Sequence, residues 1–247
     1  MPKFVNRTVP GKDRMIGKLN QSSWANSRDA TSGTAASDTG DPITVRNAKT
    51  TAGGTKYSVT RMFIAFDTSD IKEIPAHAKL DLRVSSLVGD GTGFRVVKVQ
   101  AGATGDSDTA FATADFDALQ GFSSGATMDG NVITYSPEVT AASLAAGQHR
   151  LVHLNAAARR DMADLSEFKL AVVGLKDYSN TAPTADKRTL IDSVDDSTAA
   201  NRPRLMWVSA GDARKVRRGR GSARGFSTKN VNLATGGKTV NNGFEEL

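Results

Sequence analysis

Residues 57–66 read YSVTRMFIAF, and this stretch decides the fold. It is rich in β-branched and aromatic residues, which fit a pleated, buried surface. In an extended chain successive side chains point to opposite sides. Met62, Ile64 and Phe66 therefore face one way, and Phe63 and Ala65 the other. Apolar residues on both faces mark a central strand with one face in the core. Its second face must be covered by a loop or by a neighbouring subunit.

Working outward, residues 78–84 (AKLDLRV) alternate cleanly. Leu80, Leu82 and Val84 share one face, and Lys79, Asp81 and Arg83 share the other, as in a half-buried strand. Gly89-Asp90-Gly91-Thr92-Gly93 makes a turn into a further strand at 94–99 (FRVVKV). The second half predicts strands at 149–154 (HRLVHL), 168–173 (FKLAVV), 189–193 (TLIDS) and 204–208 (RLMWV). Pro203 suits the start of the last, where no ladder N–H is needed. Residues 155–162 (NAAARRDM) read as a short helix, with Asn155 as N-cap. Residues 140–146 (TAASLAA) add another turn. Toward the N-terminus, strands are expected around 20–28 and 42–48, joined by a long loop over 30–41.

Strands recur at short spacing with no βαβ alternation. The expected fold is all-β: a single antiparallel β-sandwich, jelly-roll-like, spanning 20–210. Residues 1–19 read as an extended N-terminal arm anchored by Phe4, Val5, Met15 and Ile16. Residues 211–247 read as a basic, glycine-rich C-terminal arm with too few apolar residues to order itself.

Charge is distributed unevenly. Residues 211–229 (GDARKVRRGRGSARGFSTK) hold Arg214, Lys215, Arg217, Arg218, Arg220, Arg224 and Lys229 against Asp212 alone. That net +6 equals the net charge of the whole chain, so the other 228 residues balance to zero. A neutral body carrying a cationic segment points to a domain that folds on itself and a segment that seeks a partner. The absence of cysteine excludes disulfides, thiolate metal sites and cysteine nucleophiles, and it fits assembly in a reducing cytoplasm. Residues 1–21 contain no apolar signal-peptide core, and no run approaches the roughly 20 apolar residues of a membrane span. No membrane partner is expected.

Catalytic patterns are weak. Ser22, Ser23 and Ser58 lack a nucleophile-elbow context. The glycines at 89–93 lie between two strands and lack the helix that would hold a phosphate. His149 and His153 are four apart and could share a strand face, yet no third ligand lies near them in sequence. Asp192, Asp195 and Asp196 form an acidic loop that calcium could use, although a solvated loop is the simpler reading. The expectation is a non-enzyme with no metal and no cofactor.

Three pieces together resemble a known family. They are Arg61-Met62-Phe63-Ile64-Ala65-Phe66-Asp67 with Ser69, Ile71 and Ile74 following, then Ala76-His77-Ala78-Lys79-Leu80-Asp81-Leu82, and the closing Asn201-Arg202-Pro203-Arg204-Leu205-Met206-Trp207-Val208. Their order resembles the DNRLRE-type β-sandwich domains, relatives of carbohydrate-binding modules that occur in polysaccharide-active proteins and in virion proteins of tailed phages. The resemblance covers roughly residues 20–210. It implies a virion structural protein that decorates or cements a capsid. The arms would bind the major capsid protein or sister copies in a homo-oligomeric assembly, formed in the host cytoplasm. One alternative is a carbohydrate-binding module of a tail or head fibre, holding polysaccharide on the loop tyrosines Tyr135 and Tyr178. Another is a nucleic-acid-binding structural protein using the basic segment, a reading opposed by the neutral body.

Overall fold

A computed structural model of the chain describes residues 6–8, 12–37, 41–100 and 111–210. Among these, eleven strands form one large antiparallel sheet, and helices are few and short. The fold is all-β.

Two long strands organise it. β5 (Lys56–Asp67) follows β1 (Asn6–Thr8), β2 (Lys12–Gln21), β3 (Ala35–Ser37) and β4 (Ile43–Thr50). It pairs with β2 along most of its length. Its first half also pairs with β4, and its second half with β9 (Glu167–Gly174), which carries β7 (Phe94–Lys98) beyond it. β6 (His77–Val88) branches in the same way. It pairs with β8 (Gln148–His153), with β10 (Lys187–Ile191) and with β11 (Arg204–Val208). The β4–β10 pair joins the two halves, and β1 and β3 end the path.

Met62, Ile64 and Phe66 of β5 share a hydrophobic cluster with Leu80, Leu82 and Val84 of β6, Leu170 and Val172 of β9, and Leu205 of β11. The two halves thus bury one core between them in sandwich-like fashion. The opposite face of β5, with Val59, Phe63 and Ala65, forms a second cluster. Its cover comes from the same chain: Phe111, Phe116, Leu119, Met128 and Val132, all between β7 and β8. The two-faced pattern of 57–66 is met by a loop and not by a subunit.

Helix α2 (Ala156–Asp164) begins where expected, and the Asn155 side chain accepts from the Ala158 amide at 3.0 Å. A 3-10 turn at Ala141–Ser143 lies within the predicted 140–146 segment.

Two expectations are corrected. Residues 12–19 are not an arm: they belong to ten-residue strand β2, between β5 and β3. Ile16 is fully buried in the second cluster, and Met15 packs against the first. The strand expected over 20–28 gives way to helix α1 (Trp24–Arg28). Ser23 caps it, accepting from the Asn26 amide at 3.1 Å. Phe4, Val5 and the basic residues Arg214, Lys215, Arg217, Arg218, Arg220, Arg224 and Lys229 lie outside the described residues.

Candidate functional site

The core-facing alternation of β6 fixes its other face. With Leu80, Leu82 and Val84 turned inward, His77, Lys79, Asp81 and Arg83 turn outward. Antiparallel partners directly opposite one another share a side. The register places His153 against Lys79, Leu151 against Asp81 and His149 against Arg83 on β8. On β11 it places Met206 against Lys79 and Arg204 against Asp81. All three histidines of the chain therefore stand on one outer face, with Lys79, Arg83 and Arg204.

Asp81 is the acid among these face residues, and it is nearly buried. It accepts from His149 Nδ1 at 2.9 Å and pairs with Arg204 at 3.0 Å. Arg83 pairs with Asp192 at the margin of the face. Burial holds the His153 imidazole below its usual range, and the nearby charges of Lys79, His77 and Arg150 add to that depression. Leu151, 43% exposed, lies at the middle of β8. The result is a sheet face with an exposed leucine, three imidazoles, Lys79, and two arginines paired with Asp81 and Asp192.

The chain leaves this face beside His77. Val208 pairs with His77 in register, and its carbonyl accepts from the Ala76 amide at 2.9 Å. The basic stretch 211–229 begins three residues later.

A second cluster lies at the end of β10. Asp41, Asp192 and Asp196 each offer an oxygen within 4.8 Å of the others. The turn 192–196 is built on carboxylates from elsewhere in the chain. The Ser193 amide donates to Asp41 Oδ1 at 3.0 Å, and the adjacent Val194 amide donates to Asp13 Oδ2 at 2.8 Å. Asp13, on β2, is 2% exposed, and its Oδ1 has no hydrogen-bond partner. Burial raises its carboxyl to about 7, opposed by the Val194 hydrogen bond and reinforced by the charges of Asp195 and Asp41. The sequence showed only Asp192, Asp195 and Asp196. Asp13 and Asp41 arrive through strand register, which no local spacing reveals.

Tyr135 and Tyr178 are not exposed sugar platforms. Tyr135 is fully buried, stacks on Phe168 at 5.2 Å between centroids, and donates to Asp161 Oδ2 at 2.5 Å. Burial, the Asp161 hydrogen bond and its charge push the Tyr135 hydroxyl far above the usual range. Tyr178 is 5% exposed, and the Arg95 guanidinium covers its ring at 4.7 Å. Both looked loop-borne in sequence; Tyr135 is hydrogen-bonded to β7 through the Val96 carbonyl, and Tyr178 ends the short helix Leu175–Tyr178.

No family model matches the chain, and no curated protein matches it. Among the described residues no helix is long and apolar enough to cross a membrane.

Proposed function

We propose that this protein is a non-enzymatic structural protein of a virion. It docks on an acidic surface of the capsid shell, or of sister copies, through the outer face of β8, β6 and β11 and the basic segment that follows β11. Val208, the last residue of β11, pairs with His77. The segment holding the chain's whole net charge is attached at the edge of the face that holds its three histidines. Fixed cations on a rigid sheet orient a partner, and a glycine-broken basic segment follows that partner's contour. Each exposed ion pair contributes little, about 0–1 kcal/mol. Repetition over a lattice makes the sum effective. The RMFIAFD, AHAKLDL and NRPRLMWV segments add the resemblance to virion β-sandwich domains. The burial of Tyr135 and Tyr178 removes the glycan contact on which the carbohydrate-binding alternative rested.

Removal of residues 211–247 tests the proposal. The truncated chain is expected to keep its β circular dichroism and to be lost from purified particles, as measured by quantitative mass spectrometry. Lys79→Glu combined with His153→Glu is expected to reduce incorporation in the full-length chain. Wild-type copy number for both variants would overturn the proposal.

A further inference from the structure

We propose that Asp41, Asp192 and Asp196 bind a calcium ion that pins the turn 192–196 to the loop before β4 and to strand β2. The oxygens offered by these three residues lie within 4.8 Å of one another. That is about twice a calcium–oxygen bond of roughly 2.4 Å, so a single ion can reach all three. The donors are all carboxylate, with no imidazole or thiolate in the set, which selects a hard cation over zinc or copper.

Carboxylates also gather at protein surfaces without an ion. Asp13 sets this cluster apart. Its carboxylate sits against the same turn as Asp41, on the neighbouring amide, and it is 98% buried by its 2% exposure. Its Oδ1 nonetheless has no partner. A buried carboxylate oxygen without a partner is costly. Asp13 stands outside the three-oxygen set, so a water of the ion's coordination shell would supply what the protein does not.

Among the described residues few cations face this cluster. Arg83 pairs with Asp192. Arg202 donates to the Asp196 carbonyl at 2.9 Å and so answers backbone, not carboxylate. Asn201 and the Thr198 amide donate to the Asp196 carboxylate as neutral groups. Asp13, Asp41, Asp192, Asp195 and Asp196 thus crowd five acids around one turn against the Arg83 pair. Calcium takes 6–8 oxygens, so waters complete the shell.

The test is calorimetric titration of calcium chloride into the full chain after EGTA treatment, with thermal unfolding measured in parallel. One saturable site and a higher unfolding temperature are expected. Asp41→Asn keeps an acceptor for the Ser193 amide and lies at an exposed position, so this variant should fold. It is expected to weaken calcium at least tenfold, and Asp192→Asn likewise. Asp90→Asn, on the exposed turn before β7, is expected to leave binding unchanged. No saturable heat at millimolar calcium, in a chain whose circular dichroism shows it folded, would overturn the proposal. So would magnesium binding as tightly as calcium, or binding that survives Asp41→Asn together with Asp192→Asn.

Discussion

Arg61 stands in the strand that sets the fold, fully buried, on the same side as Phe63 and Ala65. It is accommodated because its charge is answered at close range. It donates from Nε to Asp177 Oδ2 at 2.7 Å and from Nη2 to Oδ1 at 2.9 Å. Its guanidinium also lies over the Phe116 ring at 4.2 Å. Arg28, equally buried, donates to the Asp177 carbonyl at 2.9 Å and pairs with Asp29. Two arginines and two aspartates close a neutral network beneath the covering loop. Asp177→Asn leaves two buried cations short of an anion and is expected to cost about 3–5 kcal/mol in urea unfolding. Asp13 gives the opposite kind of prediction. Its carboxyl, near 7 when folded against 3.8 as the ordinary value, holds its proton more firmly in the folded chain. Its contribution to stability is therefore present below about pH 4 and is lost as pH rises through 7. In EGTA, Asp13→Asn is expected to match or fall below the wild type at pH 4 and to exceed it at pH 8. Thermal unfolding at the two pH values reads the difference.

At the scale of elements, β5 and β6 were legible because each satisfies a simple pattern. β5 is apolar on both faces and β6 alternates, and the structure buries them accordingly. β2 was not legible, for a physical reason. It buries Asp13 beside apolar Met15 and Ile16, and it spends polar Lys18 and Gln21 near its open end. Neither period emerges from KDRMIGKLNQ, and only pairing with β5 reveals the strand. Ile16→Ala is expected to destabilise by about 2–5 kcal/mol, as for a core position; a mobile arm would tolerate it without measurable change. The strand expected over 20–28 overlooks the signal that decides α1, Ser23 acting as N-cap. Asn155 announced α2 in the same way and was read correctly. Asn155→Ala is expected to cost about 1 kcal/mol in urea unfolding.

For the whole molecule, charge is the organising quantity. The described body pairs many of its acids and bases internally, as at Arg46–Asp186 and Lys98–Asp161, and the densest run of cations lies in 211–229. That partition could be counted from sequence alone. The face of three histidines could not, because His77 is separated from His149 and His153 by more than seventy residues and meets them only through the β6–β8 register. Of the acidic cluster only the turn after β10 was visible in sequence, and Asp41 from the loop before β4 and Asp13 from β2 reach that turn only in the fold. If the proposed function holds, the outer face of β6, β8 and β11 and the basic segment contact another subunit together. Zero-length carbodiimide cross-linking of intact particles, read by mass spectrometry, tests it most directly. Lys79 and Lys215 are predicted to join to carboxylates of a neighbouring protein chain. Cross-links confined to carboxylates of the same chain, in particles that contain the protein, would rule out docking through this face and segment.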